Sequence, residues 1–557
     1  MTADELVALV RAGRSFEAAT IAAFDLGGRD LRGARFARAK LALLGLSGAQ
    51  LGAADLREAQ IQRTKLDKAD LSGADLSGAQ LAQVDAAGVK LAGAKLAGAK
   101  LFGVDFTGAD LTGVDLTGAA LDQVKLRGAD LTGATLSRTA VSRADLEGAI
   151  LREAKIQESA LAGASLAGAD LSTADVLAAV LTKCDLRGAR LPKRLARSIF
   201  DEVIFTEVEE AKEGGGAPSV RARADLAGCD LSFAALRGVD LRGADLRGAK
   251  LELANLDGCD LTSAELDGAD LRRAVLTKTA LRGVDLRGRD LEMTVFQESD
   301  LTGADLSGAR LLMTIFLRAN LAGVNLSRAF LRGARLRESK IDGLRIEGTT
   351  FRSVDLSDLD LRSFPLAGLS LQACSFRGSD LSGMDLSGCD LSNADLGGAD
   401  LTRANLRGAN LSRATAVRAR LAAADLTGAV AKGAHLGESD LSGAKLGGAK
   451  LRFASLSGAN LEHADLTGAD LREALLVGAR ARGALFTRAR MIYADLTLAD
   501  LSRAEVAFAD LSSASLHRTA DEGVVWSSAN LRGARRTDPV RLAAESWTPP
   551  DRPPKYR

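Results

Sequence analysis

Cysteine is the side chain here that could bind a metal or form a disulfide. The chain has 557 residues and five cysteines, and each stands two places before an apolar residue of a five-residue repeat, where alanine is usual: Cys184, Cys229, Cys259, Cys374 and Cys389. A packed cysteine behaves as a small apolar residue. There is no CxxC pair, the usual sign of a metal or redox site. We therefore expect buried structural thiols, no disulfide and no metal site.

Histidine and carboxylate side chains are the other candidates for chemistry. His435, His463 and His517 fall at outward positions of the repeat, which predicts surface histidines. Aspartate is the usual polar residue of the repeat, so no two carboxylates stand out as general acid and base. Glycine-rich runs such as GADLSGAQL lack the lysine and hydroxyl residue of a phosphate loop. The sequence predicts no catalytic residue, no cofactor and no enzyme.

Composition and charge exclude further classes. Lysine and arginine number 73 and aspartate and glutamate 72, giving a formal net charge of +1. A neutral chain has no basic footprint for nucleic acid, which is therefore not an expected partner. No run approaches the roughly 18 apolar residues of a membrane span. The start, MTADELVALVRAG, carries acids where a secretory signal would carry positive charge. We expect a cytoplasmic protein without a membrane span.

Leucine recurs every five residues and determines the fold. Apolar residues occupy this register from Leu26 to Leu191 and from Leu226 to Leu531, usually with alanine two places earlier. Residues two apart lie on the same side of an extended chain. The next two positions favour Ser, Thr or Arg and then Gly, which is turn chemistry. Short strands alternating with corners keep both apolar positions inside, so the pattern predicts an all-β solenoid.

The segments ADLSGADLSGAQL and NADLGGADLTRANL resemble the A(D/N)LXX motif of the pentapeptide repeat family. The resemblance implies a right-handed quadrilateral β-helix with four pentapeptides to a coil. MTVF at 293–296 recurs as MTIF at 313–316, a spacing that fits four sides of five residues. Phe296, Phe316 and Phe376 then fall on the same side of their coils and predict an aromatic ladder in the core.

Breaks in the register define the predicted domains. Thr2 and Glu5 form a capping box for a helix over residues 2–12. The segment PKRLARSI, from Pro192, predicts one or two helical turns. Two solenoids joined by a linker are the preferred interpretation, and one rod with an extruded loop is the alternative. The predicted parts are a helical N-terminal cap (1–25), a first solenoid (26–206), a flexible linker (207–220), a second solenoid (221–536) and a Pro-rich tail (537–557).

A stretch of larger residues predicts a local bulge. Leucine, valine or phenylalanine stands where alanine is usual, at Leu344, Val354, Leu359, Phe364 and Leu369. Interiors tolerate little overpacking. We expect these coils to widen or bend without forming a site.

Two features are candidates for partner binding. The first is an acidic band without a basic residue, formed by Asp380, Asp385, Asp390, Asp395 and Asp400. An ordinary solvated surface is the simpler interpretation. The second is the tail, which carries Trp547 and Tyr556. It either covers the last coil, with Trp547 as the anchor, or docks a partner.

An extended repeat surface without a convergent polar pocket favours a non-enzymatic scaffold that binds other proteins. The leading segment DELVALVRAGRS is similar to that of large bacterial pentapeptide proteins associated with type VI secretion, which implies an accessory or adaptor role. The alternative implied by the family is a DNA mimic that modulates DNA gyrase, although this chain lacks the acidic charge. A homodimer through the solenoid end near Trp526 is also predicted.

Overall fold

The computed structural model describes residues 1–205, 207–208, 220–362 and 364–547. The chain divides into two compact units. The first comprises Met1–Arg310, Ala319–Ala329 and Lys340–Glu347. The second comprises Leu311–Arg318, Phe330–Ser339 and Gly348–Arg557. Both units are built from the same repeated coil.

Each coil has four short sides, and successive coils pair in parallel. Asp70 pairs with Lys90 and Asp75 with Lys95 in the first unit, while Asp440 pairs with Asn460 in the second. The predicted all-β solenoid with four pentapeptides to a coil is thus confirmed. The apolar residues of the register point inward; Leu71 and Ala69, for example, are 1% and 0% exposed. Burying one leucine side chain contributes about 1.5–3 kcal/mol.

The described residues contain two helices and seventeen short strands. The helices are α1 (Ala3–Arg11) and α2 (Pro539–Glu545). The other sides of the coils pair through single bridges. The strands are β1 (Thr20–Ala22), β2 (Lys40–Ala42), β3 (Gln60–Gln62), β4 (Gln80–Ala82), β5 (Lys100–Phe102), β6 (Ala120–Asp122), β7 (Ala140–Ser142), β8 (Lys155–Gln157), β9 (Ala160–Ala162), β10 (Asp175–Leu177), β11 (Val180–Thr182), β12 (Ile199–Asp201), β13 (Glu207–Val208), β14 (Val220–Ala222), β15 (Arg310–Leu312), β16 (Phe330–Arg332) and β17 (Thr350–Arg352).

One long parallel sheet occupies a single side of the first unit. Its order is β1-β2-β3-β4-β5-β6-β7-β9-β11-β12, and Leu41, for example, lies opposite Ile61. On another side β8 pairs with β10, and β13 pairs with β14 in antiparallel fashion. In the second unit β16 pairs with β17. None of the helices in the described ranges is long and apolar enough to cross a membrane.

The corners explain the glycine and aspartate content. The second residue after the inward leucine has a positive φ, as at Gly73 (φ 64°). Glycine adopts this conformation without a steric cost, yet Lys68 (φ 55°) adopts it as well. Asp70 stabilises the turn because its Oδ1 accepts the backbone N–H of Ser72 at 3.0 Å. The outward aspartate of the repeat is therefore a turn residue first.

Helix α1 covers the N-terminal end of the first unit. Thr2 is its N-cap, and the Thr2–Glu5 capping box is formed, with Glu5 N–H donating to the Thr2 hydroxyl. Leu6, Val7 and Val10 are buried. The solenoid begins earlier than the predicted cap boundary at residue 25, because Ser15 already pairs with Arg35.

The ladder crosses the predicted linker. Val180 pairs with Ile199, one residue short of the 20-residue spacing, and Arg194 then pairs with Asp230. Residues 192–205 thus form sides of a coil, and the predicted helical turns after Pro192 are wrong. This stacking is what the extruded-loop interpretation requires, and it differs from two separate solenoids. Most of the 207–220 segment lies outside the described residues.

The larger residues at 344–369 are accommodated by burial. Val354, Leu359 and Phe364 are at most 7% exposed, and Leu369 is half-buried. Within the second unit, one ladder bond is long here, because the Leu361 nitrogen lies 3.2 Å from the Asp380 carbonyl oxygen. Phe296, Phe316 and Phe376 are each buried in the coil that carries them.

Candidate functional site

The acidic band winds around the second unit instead of forming one face. Asp380 pairs with Asp400, whereas Asp385, Asp390 and Asp395 lie on the other three sides. The structure therefore brings together only Asp380 and Asp400. The band cannot present five carboxylates to one partner surface.

Each carboxylate of the acidic band also stabilises the turn that follows it. Its Oδ1 accepts the backbone N–H two residues later, which is an Asx-type turn. These bonds run from Ser382 to Asp380 (3.0 Å), Ser387 to Asp385 (3.0 Å), Ser392 to Asp390 (3.0 Å), Gly397 to Asp395 (2.9 Å) and Thr402 to Asp400 (2.9 Å). The same carboxylates are thus structural as well as charged.

Neighbouring coils offset the negative charge of the stacked pair. Arg362 Nε lies 3.4 Å from Asp380, and Arg420 Nη1 lies 3.3 Å from Asp400. Burial raises the pKa of Asp400, but hydrogen bonds from Thr402 and the charge of Arg420 outweigh this effect and leave it below its usual value. The pKa of Asp385 is also lowered, first by hydrogen bonding from Ser387. Both groups are ionised at neutral pH.

An open groove of about 640 Å³ lies beside the Asp395 turn. Its floor consists of small residues such as Ser375 and Gly397, and Arg377 and Arg418 line it. A Cβ added at Gly378 would lie 2.7 Å from Asp358 Oδ1, and the positive φ of 69° at this residue also favours glycine. Arg418 pairs with Glu438 at 2.8 Å. The groove is polar, mixed in charge and open to a partner's side chains.

The tail is held by polar contacts and not by tryptophan. Residues 539–545 form α2, which buries no residue, and Trp547 is 67% exposed. Glu545 contacts His517 Nε2 at 3.1 Å and Arg518 Nη1 at 3.3 Å. Tyr556 lies outside the described residues. The tail segment that the structure describes therefore adds a small, charged contact to the last coils.

Among the described residues, the last coil of the solenoid is only partly covered. Val524, Trp526, Ala529 and Leu531 occupy inward positions of the last coil but are only half-buried. Leu511, by contrast, is 0% exposed. In the described part of the chain, the backbone N–H groups of Trp526 and Leu531 donate to no acceptor. This end presents an apolar surface beside an unpaired strand edge.

The five cysteines are buried, and two of the three histidines are exposed. All five cysteines are buried and free, and burial raises the pKa of Cys229 to about 11 and that of Cys259 to about 12. The described residues contain no group of His, Cys, Asp and Glu that could hold a metal. His435 and His463 are exposed, but the prediction of a surface histidine was wrong for His517, which is 3% exposed beneath α2.

Sequence reasoning also missed Arg289. It stands two places before Leu291, the inward position that alanine usually fills, and its Nε is buried without a hydrogen-bond partner among the described residues. The signal was available, because a charged residue at an inward position departs from the repeat.

The fold and its surfaces define a class of repeat protein. A family model described as "Pentapeptide repeats (8 copies)" matches residues 45–192, 224–311, 314–352 and 370–518, which is more than half of the chain. The chain belongs to the pentapeptide repeat family.

Solved structures of individual family members show some likeness to the chain. HetL of the cyanobacterium Nostoc, involved in heterocyst differentiation regulation, is 30% identical over 49% of this chain and 96% of its own, with a TM-score of 0.22. QnrB1, a plasmid-mediated fluoroquinolone resistance protein, is 20% identical over 34% and 92%, with a TM-score of 0.28. A pentapeptide repeat protein of the Arabidopsis thaliana thylakoid lumen is 26% identical over 25% and 70%, with a TM-score of 0.10. No curated protein matches the chain. At these TM-scores, no function is inferred from the three structures.

Proposed function

We propose that this protein is a non-enzymatic scaffold that binds other proteins, with the open C-terminal end as its main contact. The observation that carries the proposal is the half-buried last coil, in which Trp526 and Leu531 combine partly exposed apolar surface with backbone N–H groups that have no acceptor among the described residues. An uncovered strand edge is a template for pairing with another chain. Terminal repeats of solenoids need a cover.

The two chain ends differ in this respect. Leu6, Val7 and Val10 of α1 are buried over the first coil. Helix α2 buries no residue and contacts the last coils through Glu545. The cover that α1 provides at one end therefore has no equivalent in α2, and we assign this role to a partner protein or a second copy of the chain.

The outer walls supply further contact surface. Acidic and basic side chains alternate on them; Arg362 lies between two carboxylates, Asp360 at 2.5 Å and Asp380 at 3.4 Å. Interspersed charge of this kind is unlike the continuous acidic surface of a DNA mimic. The gyrase alternative therefore has no observation in its favour.

The finer role, an accessory or adaptor of type VI secretion, rests on the similarity of the leading segment DELVALVRAGRS alone. Its supporting feature is the position of α1, which leads directly into the first coil through the bridge from Ser15 to Arg35.

The test is capture of partners from a bacterial lysate by the full chain, by Trp526→Glu and by Phe233→Glu. Phe233 is 55% exposed on a wall of the first unit, so it is a matched control for an added charge. Proteins lost with Trp526→Glu but retained with Phe233→Glu would support the end as the contact. Retention of every partner by both variants would refute that assignment, and gyrase among them would favour the DNA mimic.

Self-association is measured separately by sedimentation over a concentration series. A dimer that dissociates in Trp526→Glu and persists in Phe233→Glu would show that a second copy covers the end. A monomer at all concentrations would show that a second copy does not cover the last coil, and a different protein would then be the expected partner.

A further inference from the structure

Arg289 occupies a position built for alanine. The equivalent residues in nearby coils of the first unit, Ala249 and Ala309, are 0% exposed. The Arg289 side chain is 25% exposed, and its Nη2 donates to Asp267 Oδ1. Its Nε is buried and has no partner in the described residues. A buried unpaired donor of a charged group is costly.

The backbone ladder is open at the same place. In the regular pattern, the inward residue of each side and the residue two places later donate their N–H groups to carbonyl groups of the next coil. Here four such donors have no acceptor in the described part of the chain: Ser263, Leu266, Gly268 and Leu271. The N–H groups of Asp285 and Asp290, on the facing rim, also have no acceptor among the described residues. The rungs on either side are intact, because Asp245 pairs with Glu265 and Asp285 with Asp305.

The size of arginine accounts for the gap. Interiors tolerate little overpacking, so a side chain of this length must displace the coil that carries it. Ala264 and Ala269, which face the displaced coil, are each 7% exposed, whereas Ala244 and Ala249 one coil away are 0% exposed. The result is a cleft of about 420 Å³ lined by residues that include Glu265, Leu266, Asp267, Gly283, Asp285 and Arg289. This volume is in the range of ligand sites.

We infer that this cleft binds an extended peptide segment of a partner protein. Both rims offer backbone N–H and C=O groups without a partner among the described residues, and an added extended segment could pair with them. A simple anion fits less well, because Glu265, Asp267 and Asp285 surround the two nearby arginines, Arg247 and Arg289. Three carboxylates against two arginines give the lining a net negative charge, and Asp267 is 82% exposed although it pairs with Arg289, so the rim favours a basic peptide.

This site goes beyond the proposed function, because the open C-terminal end can bind a partner while the cleft stays empty. The contribution of Arg289 to binding can also be separated from its effect on stability. Arg289→Ala restores the usual inward alanine and allows the missing backbone bonds to form. We expect this variant to melt at a higher temperature than the wild type and to lose peptide binding.

The experiment pans a random heptapeptide library displayed on phage against the full chain, after depletion on Arg289→Ala. Enriched sequences are synthesised, and hydrogen exchange of the wild type is measured with and without each peptide. We expect slowed exchange at Leu266, Gly268 and Leu271 and at least a 10-fold weaker affinity for Arg289→Ala. Arg407→Ala, whose side chain is 60% exposed, is the control and should bind as the wild type does.

Two results would overturn the inference: no sequence enriched on the wild type, or peptides that protect only amides elsewhere. If Arg289→Ala does not fold, Asp267→Lys replaces it in depletion and binding. It changes a single exposed side chain, and it should weaken binding of basic peptides at least 10-fold. Unchanged affinity in that variant, together with unprotected rim amides, would equally refute the site.

Discussion

Replacing Leu6 by alanine tests whether α1 is a true cap. Leu6 is 0% exposed and lines, with Leu26 and Leu31, a void of about 20 Å³ in the first coils. The substitution removes three carbon atoms, which at about 0.8 kcal/mol each amounts to about 2.4 kcal/mol. The cavity left behind adds to this cost, because neighbours relax only partly. We expect α1 to lose about 3 kcal/mol of local stability.

Hydrogen exchange of the α1 amides measures this loss. Ala12 N–H donates to the Ala8 carbonyl at 3.0 Å and reports opening of the helix. A loss of 3 kcal/mol corresponds to roughly 100-fold faster exchange, since 1.4 kcal/mol is tenfold. Leu9→Ala, at a half-buried position of the same helix, is the control and should change exchange less than tenfold. Equal acceleration by both variants would refute the cap, because the effect would then belong to helix propensity.

Three further predictions follow from the corners, the tail and the thiols. Gly73→Ala should cost about 1–2 kcal/mol in urea denaturation because its φ is 64°. Gly52, which has no positive φ, should tolerate alanine or gain up to about 1 kcal/mol, and equal midpoints would contradict the strain argument. Hydrogen bonds from His517 and then Arg541 lower the pKa of Glu545 from 4.5 to about 2. The α2 contact should therefore be complete above pH 4.5 and be lost as the pH falls through 2. Hydrogen exchange of the α2 amides, corrected for the intrinsic rate at each pH, should become faster over this range. Glu545→Gln should show no such step. The five buried cysteines should not react with a thiol reagent at pH 8 until urea is added, and rapid native labelling would contradict their burial.

The repeat alone predicts most of the fold. Leu71 and Ala69 are inward because residues two apart share a side of an extended strand, and Asp70 is outward for the same reason. The 20-residue spacing follows from four such sides, which the spacing of Phe296 and Phe316 already indicated. The burial of Cys259 follows from the same position argument.

What the sequence did not reveal depends on exceptions to the repeat. The first coil was missed because Phe16 and Ile21 keep the register while their neighbours do not resemble the motif. Pro192 indicates a break, but tertiary pairing keeps the chain in the coil. His517 is buried because α2 lies over it, with Glu545 at hydrogen-bond distance. This contact joins residues 28 apart in the chain, and the local pattern does not predict it. The half-burial of Trp526 and Leu531 likewise depends on how much of the described chain packs over the last coil, which the repeat does not specify.

The short step at β11 and β12 has a consequence for how such a chain can change. Val180 pairs with Ile199 after the loss of one residue, and the next coil resumes through Arg194 and Asp230. The ladder therefore absorbs the loss of one residue, because inward side chains and not residue number set the alignment. The coils before and after this step remain paired, so a change of one residue at such a corner is compatible with the fold.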